Sequence, residues 1–231
     1  IVKSGALGNM YFADLHLVRR LGIPKWGMFH MAKENIGGAF CDIGVHMCDY
    51  LMSITGNPQM VSTTGKAVAT LVNTMKDTYY SNVESGALSG DIFTPRKFDW
   101  KEFDVEEFSN GYIRFENGMT VTFKISWALN QPNQQTVSLC GDKGGLLLTD
   151  DSMKLITTQG RYQADLMPRI FEDKYEKLSN FYGHIQVLDG EMTMEEYPIK
   201  KEEVMNVVSI IEAFYKSDKL GREVTFAELE K

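Results

Sequence analysis

Only four histidines occur in the 231 residues, and one of them, His46, has an aspartate four positions before it and another three after it. On a helix, Asp42, His46 and Asp49 would share one face, since residues three, four and seven apart lie above one another. Asp and Glu fill 31 of the 231 positions. A single acid near a histidine therefore means little, but both on one histidine is expected by chance in fewer than about one such sequence in ten. A neutral imidazole can take the proton of a substrate hydroxyl as the adjacent C–H leaves as hydride, because its ordinary pKa lies near working pH. A carboxylate one turn away can orient the ring or grip a second hydroxyl. The plainer alternative is a solvated polar stripe on a helix whose other side is core.

The elements that would present this face can be read around it. Gly37-Gly38 precedes the helical pattern, in which Ile43, Met47, Tyr50, Leu51 and Ile54 recur at helical spacing until Gly56-Asn57-Pro58 stops it. Gly37, Gly38 and Gly44 flank the Asp42–His46 face, and glycine there permits close approach by another backbone or a flat ring. Upstream, residues 9–20 read as a strand, and Leu21 to Asn35 as an irregular loop studded by Trp26, Phe29 and His30. Downstream, Met119, Val121, Phe123, Ile125 and Trp127 alternate with Thr120, Thr122, Lys124 and Ser126, the period of a half-buried strand with one polar face. Gly111 to Glu116 is its expected hairpin partner across a two-residue Asn117-Gly118 turn. Short strands follow at 135–140, 146–149 and 153–158, giving an antiparallel meander rather than βαβ units. Helical patterns are expected over about 174–189 and 201–216, the second with Val204, Val207, Val208, Ile211 and Phe214 on its apolar face. The stretch 73–101 has the weakest pattern and reads as a long loop.

The chain is 43% hydrophobic and 24% charged, enough for one large domain. A net charge of −7 argues against nucleic-acid or anionic-membrane binding. No apolar run approaches the roughly 20 residues of a membrane span. Cys41, Cys48 and Cys140 are odd in number and suit free thiols in a reducing cytoplasm. The chain opens on Ile1 with its first methionine at Met10, so it reads as the tail of a longer protein.

The run from Gly37 to Asp49, Gly-Gly-Ala-Phe-Cys-Asp-Ile-Gly-Val-His-Met-Cys-Asp, resembles the GG-x-x-x-D-x-G-x-H-x-x-D signature of the glucose–fructose oxidoreductase, inositol dehydrogenase and MocA family. Arg20 to Phe29, Tyr112 to Gly118, Ile125 to Ala128, Gly141 to Gly145 and Glu212 to Val224 resemble further family segments, in the family's order. The resemblance implies an α+β domain, an open and predominantly antiparallel sheet with helices on one face, that follows an N-terminal Rossmann domain absent from these residues. It implies an oxidoreductase acting with NAD or NADP on a sugar, inositol or related polyol. Asp42 and His46 would be catalytic, while the cofactor and the family's Glu-Lys-Pro lysine would belong to the Rossmann half; no residue of this chain is assigned to the cofactor. The polar strip Thr120, Thr122, Lys124 and Ser126 would then sit in a homodimer or homotetramer interface on the sheet's other face.

Trp26, Lys33 and His184 join Asp42 as substrate-binding candidates on the same resemblance. His16 and His30 read as structural, Arg19 and Arg20 as solvated, Tyr50 and the spaced methionines as core, and no metal site is expected. Two alternatives stand beside the enzyme: a non-catalytic binding or regulatory protein on the same scaffold, and an NAD-dependent glycosidase of the family.

Overall fold

The strict alternation at 119–127 does form a strand, and it lies one place from the centre of the sheet. In the computed structural model, which describes residues 1–25, 27–74, 98–168, 185–197 and 199–229, nine strands form one sheet. They are β1 (Met10–Val18), β2 (Met60–Val68), β3 (Phe108–Phe115), β4 (Thr120–Ser126), β5 (Gln134–Gly141), β6 (Gly144–Thr149), β7 (Met153–Gln159), β8 (Tyr162–Leu166) and β9 (Val224–Thr225). Their spatial order is β8-β7-β6-β5-β1-β4-β3-β2-β9. Every ladder is antiparallel except β1 with β4, which run parallel with Leu15 opposite Phe123. The expected class therefore holds, with one parallel pair at the centre that the meander reading did not contain.

One face of the sheet carries Ala13, Leu15, Val121, Phe123, Ile125, Val137 and Leu139, all buried. After a short α1 (Ala32–Asn35), the helices α2 (Val45–Thr55) and α3 (Lys201–Leu220) lie on it. Phe40, just before α2, Phe123 of β4 and Phe214 of α3 meet there, with ring centroids 4.6 Å (Phe40–Phe123), 4.3 Å (Phe40–Phe214) and 5.6 Å (Phe123–Phe214) apart. Fully burying such a ring contributes about 1.5–3 kcal/mol, so this cluster is one tie between helices and sheet.

Three local readings are corrected. The β3–β4 connection has three residues rather than two. Phe115 and Met119 still pair, Asn117 accepts from the Met119 N–H through its side chain, and only Gly118 takes positive φ, at 83°. That is a type I turn with a glycine bulge, which needs one left-handed residue where a two-residue type I′ turn needs two. The apolar stripe of α3 is rotated from the expected one: Val207, Ile210, Ala213, Phe214 and Ser217 are buried, while Val204 and Val208 are about half exposed. A true 3.6-residue period runs through 207, 210, 214 and 217 and leaves 204 and 208 at its edge. Tyr50 is not core, being 43% exposed; Met47, Met52, Met60 and Met119 are core, but Met28, Met167, Met194 and Met205 are exposed. The expected helix at 174–189 and the loop at 73–101 fall mostly outside the described residues.

Candidate active site

The backbone leading into α2 is held before any functional side chain is placed. The Glu106 carboxylate accepts from the Gly38 N–H at 2.9 Å, the Phe40 N–H at 3.0 Å and the Tyr215 hydroxyl at 2.8 Å. Its backbone carbonyl accepts from the Ala39 N–H at 3.1 Å. One buried carboxylate thus serves the otherwise unpaired donors of a helix start. A Cβ on Gly38 would lie 1.9 Å from the Glu106 carbonyl oxygen, so this approach is open to glycine alone. Gly37 likewise leaves room for the Tyr215 ring, and Gly44 for the Phe40 ring. Burial, and then the neighbouring Glu106 charge, push the Tyr215 phenol far up, so it stays a neutral donor.

Asp42 and His46 do not lie on one uniform α-helix. Phe40–Gly44 forms a single π-helical turn, closed by the Val45 N–H bonding to the Phe40 carbonyl, and α2 begins only at Val45. Such widened turns concentrate at functional sites because they re-aim side chains without ending the helix. Asp42 lies inside the π turn and His46 at the second residue of α2.

Asp42 is half-buried, and its Oδ2 accepts from the indole Nε1–H of Trp127 at 2.8 Å. Burial raises its carboxyl above the ordinary aspartate value; the Trp127 hydrogen bond, the Arg19 charge and the His46 charge each pull the other way. Of the two residues picked out by spacing, His46 thus bears on the Asp42 carboxyl. Arg19, read as solvated, also contributes to Asp42's field. Among the described residues Oδ1 of Asp42 and both ring nitrogens of His46 take no hydrogen bond, which leaves them open to a ligand.

His46 is exposed and borders a cleft of about 410 Å³ between α2 and the sheet. Met47 and Tyr50 line it from the helix, and Leu17, Gln135, Val137 and Leu148 from β1, β5 and β6. An imidazole at the mouth of a mostly apolar cleft, with a fixed carboxylate one turn earlier, can carry a proton to or from a bound hydroxyl.

The remaining candidates separate. Lys33 sits on α1 with its side chain 86% exposed and its amine 3.9 Å from Glu34, and it makes no contact with Asp42 or His46. Trp26 and His184 lie outside the described residues. His30 is buried against Phe98 at 4.5 Å, and His16 pairs with Asp14 at 3.1 Å on the open sheet face, so both stand apart from His46. Sequence reasoning missed Trp127 as Asp42's partner, because its place in the β4 alternation marked it only as core. It also missed Glu106 and Glu107. Glu107 is 1% exposed, accepts from the Thr70 and Leu71 N–H groups at 2.6 and 2.8 Å, and has its carboxyl raised by burial. The one available signal was two adjacent acids just ahead of β3.

A family model described as the GFO/IDH/MocA C-terminal domain matches residues 1–147. D-glucoside 3-dehydrogenase of Escherichia coli (strain K12) is 29% identical, with 96% of this chain and 58% of that protein covered. The chain thus spans little more than half the length of that curated relative. Among solved structures, an NAD binding oxidoreductase from Klebsiella pneumoniae superposes with a TM-score of 0.70 at 13% identity, covering 98% of this chain and 61% of that one. An aldose-aldose oxidoreductase from Caulobacter crescentus, complexed with glycerol, does so with a TM-score of 0.62 at 18% identity, covering 97% and 58%. At those identities the likeness is one of fold.

Proposed function

The chain belongs to the GFO/IDH/MocA family, and on that basis we propose that it is the substrate-binding part of an enzyme that moves hydride between NAD(P) and a hydroxyl-bearing carbon of a sugar, inositol or related polyol. The observation that carries this reading is His46, open at the cleft mouth, with Asp42 one turn earlier fixed by Trp127. The name of the Escherichia coli relative, a glucoside dehydrogenase, supports a sugar as substrate.

The described sheet has one parallel pair and no crossover helix closing a βαβ unit, and the sequence holds neither a G-x-G-x-x-G nor a Glu-Lys-Pro run. Those are the usual seats of a dinucleotide pyrophosphate. We assign the cofactor, and the helper lysine, to a Rossmann domain outside these residues, and these residues alone are then inactive.

Within this chain the chemistry is proton handling. His46 accepts the proton of the hydroxyl being oxidised, or returns it on reduction, while Asp42 Oδ1 accepts a hydrogen bond from a neighbouring hydroxyl or from the imidazole. Free thiols at Cys41, Cys48 and Cys140 support a reducing compartment, and we place the protein in the cytoplasm. We further assign the open sheet face, with Asp14, His16, Thr122 and Lys124 side by side, to a contact between copies in a homodimer or homotetramer.

The test joins the chain to its upstream Rossmann domain and assays a panel of sugars and polyols with NAD and NADP. His46→Ala is expected to lower kcat by about 10²- to 10⁴-fold, the range for losing a general base. Near-full activity in that variant would defeat the assignment.

A further inference from the structure

Trp127 stands in an alternating strand pattern that accounts for its burial but not for its polar end. It is fully buried, yet its Nε1–H reaches Asp42 Oδ2 at 2.8 Å. The residue is fixed at several points. Its backbone N–H donates to the Glu107 carbonyl at 2.8 Å, and its carbonyl accepts from the Gly22 N–H at 2.6 Å. Its ring meets Phe103 edge-on, with centroids 6.5 Å apart. An indole N–H is a permanent donor that neither titrates nor accepts. Whatever oxygen it holds must remain an acceptor.

We propose that Trp127 is a positioning residue that reserves Oδ2 of Asp42 as an acceptor, so that Oδ1 alone meets the substrate or carries the carboxyl proton. The inference rests on the enzymatic reading above for its role in turnover, but not for the geometry. A carboxylate free to rotate would offer two equivalent oxygens; pinned at one, it presents a single oxygen in a single direction. Orientation of that kind matters because near-attack geometry is lost over small displacements. The charged and titratable groups around Asp42 are Arg19 at the end of β1, His46 on α2 and Cys41 within the π turn. None of them is hydrogen-bonded to Asp42, so the indole is the one directional restraint among the described residues.

The experiment replaces the N–H and keeps the ring. Trp127→Phe is the simple variant. Because it also removes volume from the core, 3-benzothienylalanine placed at position 127 is the second, since sulfur replaces N–H at nearly constant shape. The Asp42 carboxyl is followed by ¹³C NMR titration, with its signal assigned through Asp42→Asn. In the intact enzyme, kcat and KM are measured beside it.

Loss of the N–H at an unchanged melting temperature should move the Asp42 midpoint upward and lower kcat/KM by about 10- to 100-fold, the range for one hydrogen bond to a charged group. The midpoint of the Asp142 carboxyl, held by Asn9 at the β5–β6 turn, is the internal control for a general change of environment. An unmoved Asp42 midpoint in the benzothienylalanine protein overturns the proposal. If the midpoint rises while His46→Ala retains full activity, the positioning stands and the catalytic reading fails.

Discussion

At the scale of single residues, the spacing Asp42–His46 led to the site, and what it could not reveal was how the aspartate is held. Trp127 lies 85 positions away, and a strand pattern says which way a side chain points without naming the acceptor it finds. Glu107 poses a second problem of the same kind. Burial lifts its carboxyl, so the folded state binds a proton more tightly than the unfolded chain. By linkage its contribution to stability falls as pH rises from the ordinary glutamate value through the raised one. Glu107→Gln removes this titration. The stability of the variant minus that of the native chain, from urea melts at a series of pH values, is expected to increase with pH across that window. A difference that stays flat would mean that Glu107 is not taken out of water as described.

At the scale of elements, the entry to α2 is the sensitive point. Four backbone and phenol donors converge on Glu106, through its carboxylate and its carbonyl, and Gly38 fits only because it has no side chain. Gly38→Ala is expected to destabilise the fold by about 1–3 kcal/mol through overpacking against backbone that cannot retreat. Glu106→Ala is expected to cost at least as much, because buried donors are left without an acceptor. Denaturant melts check both, and a variant within about 0.5 kcal/mol of the native chain in either case would contradict the clamp. The glycine pair, the Asp42–His46 spacing and the Gly56 stop were all legible in the sequence. The π turn was not, since one extra residue in a turn leaves no compositional mark. The rotated stripe of α3 escaped for a related reason: Val204 and Val208 are as apolar as their neighbours, and only the sheet decides which valines it covers.

At the scale of the whole molecule, the alternating strands and their antiparallel succession followed directly from the period of two. The placement of β1 did not, because nothing in Met10–Val18 names its neighbours, and both of them arise more than a hundred residues later. The sheet's uncovered side yields its own prediction. Thr122 donates to the Asp14 carboxylate, and His16 and Lys124 lie in the next row. If this face joins two copies, Thr122→Lys should place like charges across the contact and shift sedimentation velocity from dimer to monomer. A native chain that sediments as a monomer at micromolar concentration would remove that reading.

The order β5-β1-β4 has a mechanical side. No ladder joins β4 to β5, so the wing β5–β8 and the wing β4-β3-β2-β9 are sewn into one sheet by β1 alone. Leu15, with 0% exposure, sits at the middle of that seam. A polypeptide stripped of residues 1–20 would lose its suture, and two half-sheets would be left with facing raw edges until that peptide was added back.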